Sequence, residues 1–83
     1  MEQVARTTKQ AGEAIRRVRR QRGLSQSALG AKMHVRQATV SKLEAGEPAT
    51  QLKMLMDALA ALDLELVIRP RSSGRVEDIE ALF

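Results

Sequence analysis

The first regular pattern of apolar and polar positions begins after Thr7 and predicts a helix. Three apolar residues recur at spacings of four and three and so share one helix face: Ala11, Ile15 and Val18. Thr7, with Gln10 three residues later, forms a capping-box pattern, and Gly23 is a typical helix stop. We therefore expect a first helix between Thr7 and Gly23.

Two shorter helical segments follow, separated by a tight turn. Ser25 is the expected N-cap of the second helix, which runs to about Met33. His34 occupies the turn, where the backbone often needs a left-handed conformation and glycine is the usual residue. The third helix covers about residues 37–45 and ends at Gly46. Two short helices joined in this way form the helix-turn-helix pattern of DNA-reading proteins.

The segment after Pro48 predicts a fourth helix with two apolar strips. Thr50 is its expected N-cap. The main strip consists of Leu52, Leu55, Met56, Leu59 and Leu62. A second, smaller strip, which a monomer has little reason to keep, consists of Met54, Ala58 and Ala61.

Residues 64–69 alternate in polarity and predict a strand that Pro70 ends. A lone strand leaves its backbone groups unpaired, so we expect it to pair with the same strand of a second copy. The dimerisation residues of the resulting intermolecular sheet are Leu64, Leu66, Val67 and Ile68. The predicted fold class is therefore all-α, with four to five helices and one C-terminal β-strand that pairs across a homodimer.

Composition favours a small helical domain and excludes several kinds of chemistry. With 83 residues, 43% of them hydrophobic and only one aromatic, the core must be aliphatic, which favours helices. The chain has no cysteine and one histidine, so we expect no disulfide, metal site or cofactor. Because no P-loop or paired catalytic residues occur, we do not expect an enzyme. No signal peptide or membrane-spanning segment is found, so we expect a soluble cytoplasmic chain without a membrane partner.

Charge is distributed unevenly along the chain. Residues 1–56 carry a formal charge of +7, whereas residues 57–83 carry −3. This asymmetry suggests two surfaces with different partners. Arg16, Arg17 and Arg20 of the first helix fit two interpretations, a solvated helix face or a set of phosphate contacts.

The start of the third helix has the residue types that a base-reading helix needs. Glutamine pairs with adenine, arginine pairs with guanine, and alanine or the threonine methyl contacts the thymine methyl. In a helix-turn-helix this end enters the major groove, while the start of the second helix faces phosphates. The candidate DNA-binding residues are Gln26, Ser27, Arg36, Gln37, Ala38, Thr39, Ser41 and Lys42. Double-stranded operator DNA is the expected partner.

The segment GLSQSALGAKMHVRQATVSKLEAGE resembles the lambda-repressor-like (XRE) helix-turn-helix family. Its matching positions are Gly23, Ser25, Gln26, Leu29, Val35, Val40, Ser41, Leu43, Glu44 and Gly46. Gly30 and His34 depart from the alanine and glycine that are usual there. The resemblance also implies a structural ion pair between Arg19, near the end of the first helix, and Glu44, at the end of the third, so Arg19 is not counted as a DNA contact.

Most of the chain, about Thr7 to Arg69, is similar to the HipB-type antitoxins of HipBA-type toxin–antitoxin pairs. The resemblance implies a homodimer in the bacterial cytoplasm that represses its own operon and neutralises a HipA-like serine/threonine kinase toxin. A free-standing XRE-family repressor without a toxin is the alternative, and a protein-interaction adaptor that no longer binds DNA is a third class. The expected organisation is a DNA-binding domain over residues 7–63, a dimerisation strand over 64–69 and a flexible tail over 70–83.

The end of the tail, VEDIEALF, fits two interpretations. It is either a disordered end or a segment that becomes ordered on a partner protein. In the second case the apolar anchors are Ile79, Leu82 and Phe83. The resemblance implies that this partner is the toxin, because HipB-type antitoxins also close with an aromatic residue.

Overall fold

Four helices account for the regular structure in residues 2–71, the part of the chain that the computed structural model describes. They are α1 (Thr8–Gln21), α2 (Gln26–Met33), α3 (Gln37–Glu44) and α4 (Leu52–Ala61). This order is that of an all-α helix-turn-helix domain. None of the helices in this part of the chain is long and apolar enough to span a lipid bilayer.

The first three helices begin and end where local chemistry predicts. The Thr7 hydroxyl oxygen accepts a hydrogen bond from the Gln10 backbone N–H at 3.0 Å. The Ser25 hydroxyl oxygen caps α2 in the same way, at 3.0 Å from the nitrogen of Ala28. At the other ends, Gly23 and His34 adopt left-handed backbone conformations with φ of 69° and 59°. Local side-chain caps and left-handed stops therefore define α1 and α2, whereas α3 begins without a side-chain cap and is followed by the left-handed Gly46, which has a φ of 77°.

The start of α4 differs from the prediction by one residue. Gln51, not Thr50, is the N-cap, and no side chain caps the helix. The backbone N–H of Thr50 instead donates to the Glu47 carbonyl oxygen at 3.0 Å, within the turn that precedes the helix. Thr50 is therefore part of the turn, and Asp63 ends the helix with a φ of 57°.

The core is aliphatic and lies where α2 packs against α3 and α4 and where α1 packs against α3. Its largest fully buried side chains are Ile15, Leu29, Val40 and Leu62. Gly12 allows a close contact between α1 and α3, because a Cβ atom there would lie 2.5 Å from the Leu43 carbonyl oxygen. At Gly30, a Cβ atom would lie 2.8 Å from the Val35 carbonyl oxygen in the turn. These close backbone contacts position α1 and the turn around α3.

The predicted apolar strips of α4 are wrong in part, because the helix is rotated relative to the prediction. Ala58, expected in the free strip, is fully buried, and Met54 and Ala61 pack against the core. Leu52 and Met56, expected to face inward, are 66% and 42% exposed. The small side chain of Ala58 fits the closely packed position, and Leu52 and Met56 are turned outward.

Two terminal segments lie outside the helices: the N-terminal arm (residues 2–6) and the C-terminal segment (residues 64–71). The C-terminal segment contains no strand in the described single chain. Leu64 donates its backbone N–H to the Leu59 carbonyl oxygen at 2.7 Å, but residues 65–71 make no backbone hydrogen bond to any other described residue. Pairing of this segment across a homodimer therefore stays a proposal. The predicted anchors Ile79, Leu82 and Phe83 lie outside the described residues.

Candidate nucleic-acid interface

One face of α3 is polar and exposed from its first turn onward. The exposed residues here, including the N-cap, are Arg36, Gln37, Ala38, Ser41 and Lys42, and Thr39 is half-buried. The opposite face carries the buried Val40 and Leu43. Burial of that face fixes the helix against the core, so the polar face is presented outward on a rigid support.

The turn between α2 and α3 sets the angle at which this face is presented. The backbone N–H of Val35 donates to the Gly30 carbonyl oxygen at 2.9 Å, and that of His34 donates to Ala31 at 3.3 Å. These bonds satisfy carbonyl groups at the end of α2, as in a left-handed helix cap. The Val35 side chain packs against the core and anchors the turn.

Beneath α3, a buried ion pair joins it to α1. The guanidinium of Arg19 donates from Nε to Glu44 Oε2 at 2.6 Å and from Nη2 to Glu44 Oε1 at 3.0 Å. Its Nη1 donates to the Leu24 carbonyl oxygen at 2.8 Å. Both charged side chains are buried, and no fully buried side-chain polar atom in residues 2–71 lacks a hydrogen-bond partner. The pair thus fixes α1 against α3 through a two-pronged contact.

The charge state of Arg19 is constant. The hydrogen bond to Glu44 raises the pKa of the Arg19 guanidinium above its ordinary value, which already lies far above neutral. The negative charge of Glu44 acts in the same direction, whereas burial opposes it. Arg19 therefore remains charged throughout the physiological pH range.

A relay of hydrogen bonds connects the ion pair to the exposed face of α3. The Nε2 atom of Gln26 donates to Glu44 Oε1 at 3.1 Å. The Nε2 atom of Gln37 in turn donates to Gln26 Oε1 at 3.0 Å. A carboxylate only accepts hydrogen bonds, so Glu44 determines that Gln26 turns its nitrogen inward and its oxygen toward Gln37.

This orientation leaves Gln37 with the groups that adenine recognition requires. One N–H of its amide is used by Gln26, and the second N–H and the Oε1 atom are left to bind a base edge. Adenine presents an acceptor, N7, beside a donor, N6, in the major groove, so an adjacent donor and acceptor fit it bidentately.

The starts of α2 and α3 offer backbone N–H groups to an anion. The Ser25 side chain caps α2 at Ala28, while the backbone N–H groups of Gln26 and Ser27 donate to no other described residue. No side chain caps α3. Free N–H groups at a helix start, together with the helix dipole, suit phosphate binding.

The arginines of α1 have different positions. Arg16 and Arg20 are exposed. Arg17 is exposed too, but its Nη1 atom donates to the Gln3 side chain in the N-terminal arm. Arg22 donates to the Leu62 carbonyl oxygen at the end of α4. Both original interpretations, a solvated face or phosphate contacts, stay open for Arg16, Arg17 and Arg20.

Sequence reasoning missed the two glutamine contacts and the role of Arg22. Gln26 and Gln37 were each expected to face DNA, but nothing in the spacing indicated that they bind each other. The sequence signal that could have indicated this contact is their position, because each glutamine is the first residue of its helix. The part of the chain that the structure describes contains no cluster of three acidic, His or Cys side chains suited to a metal ion.

Comparisons with known proteins agree with this geometry. A model of a helix-turn-helix family, HTH_3, matches residues 15–68. A complex of a HipB variant with an O2 20-mer superposes with a TM-score of 0.79 and 29% identity, covering 87% of this chain and 100% of that chain. A HipB complex with an O4 20-mer gives 0.79 and 30%, covering 86% and 100%. A HipA–HipB–O2–O3 complex gives 0.78 and 30%, also covering 86% and 100%. A search of curated proteins gives no match.

Proposed function

Because the chain belongs to the XRE-type helix-turn-helix family, we propose that it is an operator-binding antitoxin that represses its own operon and neutralises a HipA-like kinase toxin. The observation that carries the DNA-binding part is the relay from buried Glu44 through Gln26 to Gln37. It holds a base-reading side chain in one orientation at the start of an exposed helix. Preorganisation of this kind lowers the entropic cost of binding.

In this proposal, α3 lies in the major groove and Gln37 reads an adenine. Arg36, Ala38 and Ser41 lie on the same exposed face and contact neighbouring base edges. Ser27 and Lys42 contact phosphates, together with the free N–H groups at the start of α2. Thr39 is half-buried and lies at the edge of the contact. The protein acts in the bacterial cytoplasm and is associated with the nucleoid when bound to its operator.

The proposed active form is a homodimer that reads a pseudo-palindromic operator. Residues 64–69 of the two copies pair as a two-stranded sheet, which satisfies backbone groups that have no partner within residues 2–71. Two copies of α3 related by a two-fold axis then read two half-sites.

The antitoxin part is supported by the 30% identity to the protein in the HipA–HipB–O2–O3 complex over that chain's whole length. We propose that Ile79, Leu82 and Phe83 anchor the tail on the toxin and that Glu77, Asp78 and Glu80 face a basic surface. A free-standing repressor would bind DNA through the same face of α3 but would have no toxin partner.

The DNA-binding proposal is tested with the full chain and a randomised duplex library. The selected sites should be pseudo-palindromic. Gln37→Ala should cost about 1–3 kcal/mol at one base position of each half-site and relax base choice there. Its matched control, Lys42→Ala, should weaken binding to all sequences alike and lower the slope of log K against log salt by about 1. Unchanged base preference in Gln37→Ala would contradict the placement of α3.

The antitoxin proposal is tested by purifying the tagged chain from its host and identifying the bound protein and DNA. A kinase-like protein recovered with a promoter fragment supports it, whereas DNA alone supports the free-standing repressor. Removal of residues 76–83 should weaken toxin binding and leave operator affinity unchanged. An equal loss of both affinities would contradict the assignment of the tail to toxin binding.

A further inference from the structure

Three residues of the N-terminal arm make hydrogen bonds or ion pairs to other parts of the chain. Glu2 Oε1 lies 2.9 Å from Arg69 Nη1 in the C-terminal segment, and Gln3 accepts a hydrogen bond from Arg17 of α1. The backbone N–H of Arg6 donates to Gln10 Oε1 at 2.7 Å. The arm therefore lies beside the C-terminal segment, although the two are at opposite ends of the sequence.

The arm and the C-terminal segment line the same open groove, which has a volume of about 810 Å³. Apolar residues of α1 and α4 complete its lining, among them Ala11, Ala14, Leu55 and Leu59. The alanines leave space that longer side chains would fill. The groove thus combines an apolar helical lining with two extended chain segments.

The two segments hold most of the strongly exposed large apolar side chains of the described chain. Val4 of the arm is 54% exposed, and Leu66, Val67 and Ile68 are 50%, 66% and 93% exposed. Single exposed apolar residues are common, but a group lining one groove is typical of a surface that another molecule covers.

We infer that the N-terminal arm is part of the homodimer interface, where it forms one wall of a groove that receives residues 64–68 of a second copy. The inference rests on the proposed homodimer and adds to it a segment that the sequence pattern did not indicate. A two-fold axis repeats the contact, so each dimer contains it twice.

Two properties of residues 64–69 favour them as the segment that occupies the groove: their unpaired backbone groups and their charge. Residues 65–71 have backbone groups without partners among the described residues, so they suit a site that offers an extended segment. The groove is lined by three acidic and three basic side chains. A neutral groove fits residues 64–69, which carry one acidic and one basic residue, better than residues 76–83, which carry three acidic residues and no basic one.

A disulfide experiment tests the contact directly, because the chain contains no cysteine. Two singly substituted full-length chains of different tag mass, Val4→Cys and Ile68→Cys, are mixed and oxidised. A disulfide forms only if the two Cα atoms approach within about 7 Å, and here it must join different chains. We expect the mixed disulfide. The control mixture of Leu52→Cys and Ile68→Cys should give none, because Leu52 is exposed but lies outside the groove.

The dissociation constant of the dimer, measured by sedimentation without DNA, distinguishes failure of this inference from failure of the proposed homodimer on which it rests. Val67→Pro should weaken the dimer strongly because it removes a ladder N–H. Val4→Ser should raise the dissociation constant roughly tenfold, since two half-exposed valines are covered per dimer, and Leu52→Ser should not change it. Removing residues 72–83 should leave it unchanged.

Three results would overturn the inference. If Val67→Pro leaves the dimer intact, the proposed strand dimer is wrong, and the inference fails with it. If Val67→Pro weakens the dimer but Val4→Ser does not and no mixed disulfide forms, only the role of the arm is wrong. If removal of residues 72–83 weakens the dimer as much as Val4→Ser does, the tail, not residues 64–68, occupies the groove.

Discussion

Glu44→Ala removes the acceptor of three hydrogen bonds, two from the Arg19 guanidinium and one from the Gln26 amide. Arg19 then keeps its hydrogen bond to the Leu24 carbonyl oxygen. The residue is only 7% exposed, so its charge stays buried without a counter-ion. Breaking a buried pair in this way costs about 3–5 kcal/mol. The folding free energy of a domain of 83 residues is about 4–12 kcal/mol in total, so we expect a severe loss.

The loss is measured by urea and thermal unfolding followed by circular dichroism. At about 4–8 °C per kcal/mol, the melting temperature should fall by at least about 12 °C. Gln26→Ala is the matched control, because it leaves Arg19 and Glu44 paired and removes only the link to Gln37. It should cost about 1 kcal/mol of stability, while base preference at the Gln37 position should relax.

Replacing both partners, Arg19→Met with Glu44→Leu, separates stability from DNA reading. Apolar replacement of a buried pair is often neutral or stabilising by about 1–4 kcal/mol, so the double variant should fold at least nearly as well as the parent. It should still lose base preference, because Gln26 no longer has Glu44 to orient it. The ion-pair argument is refuted if Glu44→Ala unfolds within about 1 kcal/mol of the parent. The relay is refuted if the double variant keeps the parent's base preference.

Three further variants test the packing that supports the site. Gly12→Ala should lower the free energy of unfolding by about 1–3 kcal/mol in urea, because its Cβ would lie 2.5 Å from a backbone oxygen of α3. His34→Gly should raise it by up to about 1 kcal/mol, because glycine adopts the left-handed backbone without strain; a large loss would contradict this. Arg22→Ala should lower it by about 1 kcal/mol by removing the hydrogen bond to Leu62, and an unchanged unfolding midpoint would show that this bond contributes nothing.

The boundaries of α1 and α2 were predictable because they depend on neighbouring residues. A hydroxyl side chain caps the first turn three residues away, and a left-handed residue ends the helix, so Thr7, Ser25 and Gly23 act within their own segments. The start of α4 has no side-chain cap, and the prediction failed by one residue there. Local capping chemistry therefore explains the boundaries of α1 and α2; α3 also starts without a side-chain cap, and the left-handed Gly46 marks its end.

The rotation of α4 was not predictable from periodicity. The sequence LKMLMDALAA is apolar at eight of its ten positions, so several faces compete for the core. The pattern favoured the largest side chains, but tertiary packing selected Ala58, which is fully buried, and left Leu52 largely exposed. The relay through Gln26 and the position of the N-terminal arm were equally hidden, because each depends on residues brought together only by folding.

Three arginines, two in α1 and one at its C-cap, link the parts of the molecule that the proposed function uses. Arg17 binds the N-terminal arm, Arg19 binds the end of α3, and Arg22 binds the end of α4, where the C-terminal segment begins. The proposed reading helix, the N-terminal arm and the end of α4, where the proposed dimer segment begins, are therefore each bonded to α1 or to its C-cap. In the proposed dimer, the distance between the two copies of α3 depends on this arrangement, because a shift of α3 relative to α1 would break the contact between Arg19 and Glu44. The spacing of the operator half-sites is then set by the position of α3 within each folded monomer. The two-fold axis repeats that position in the second copy.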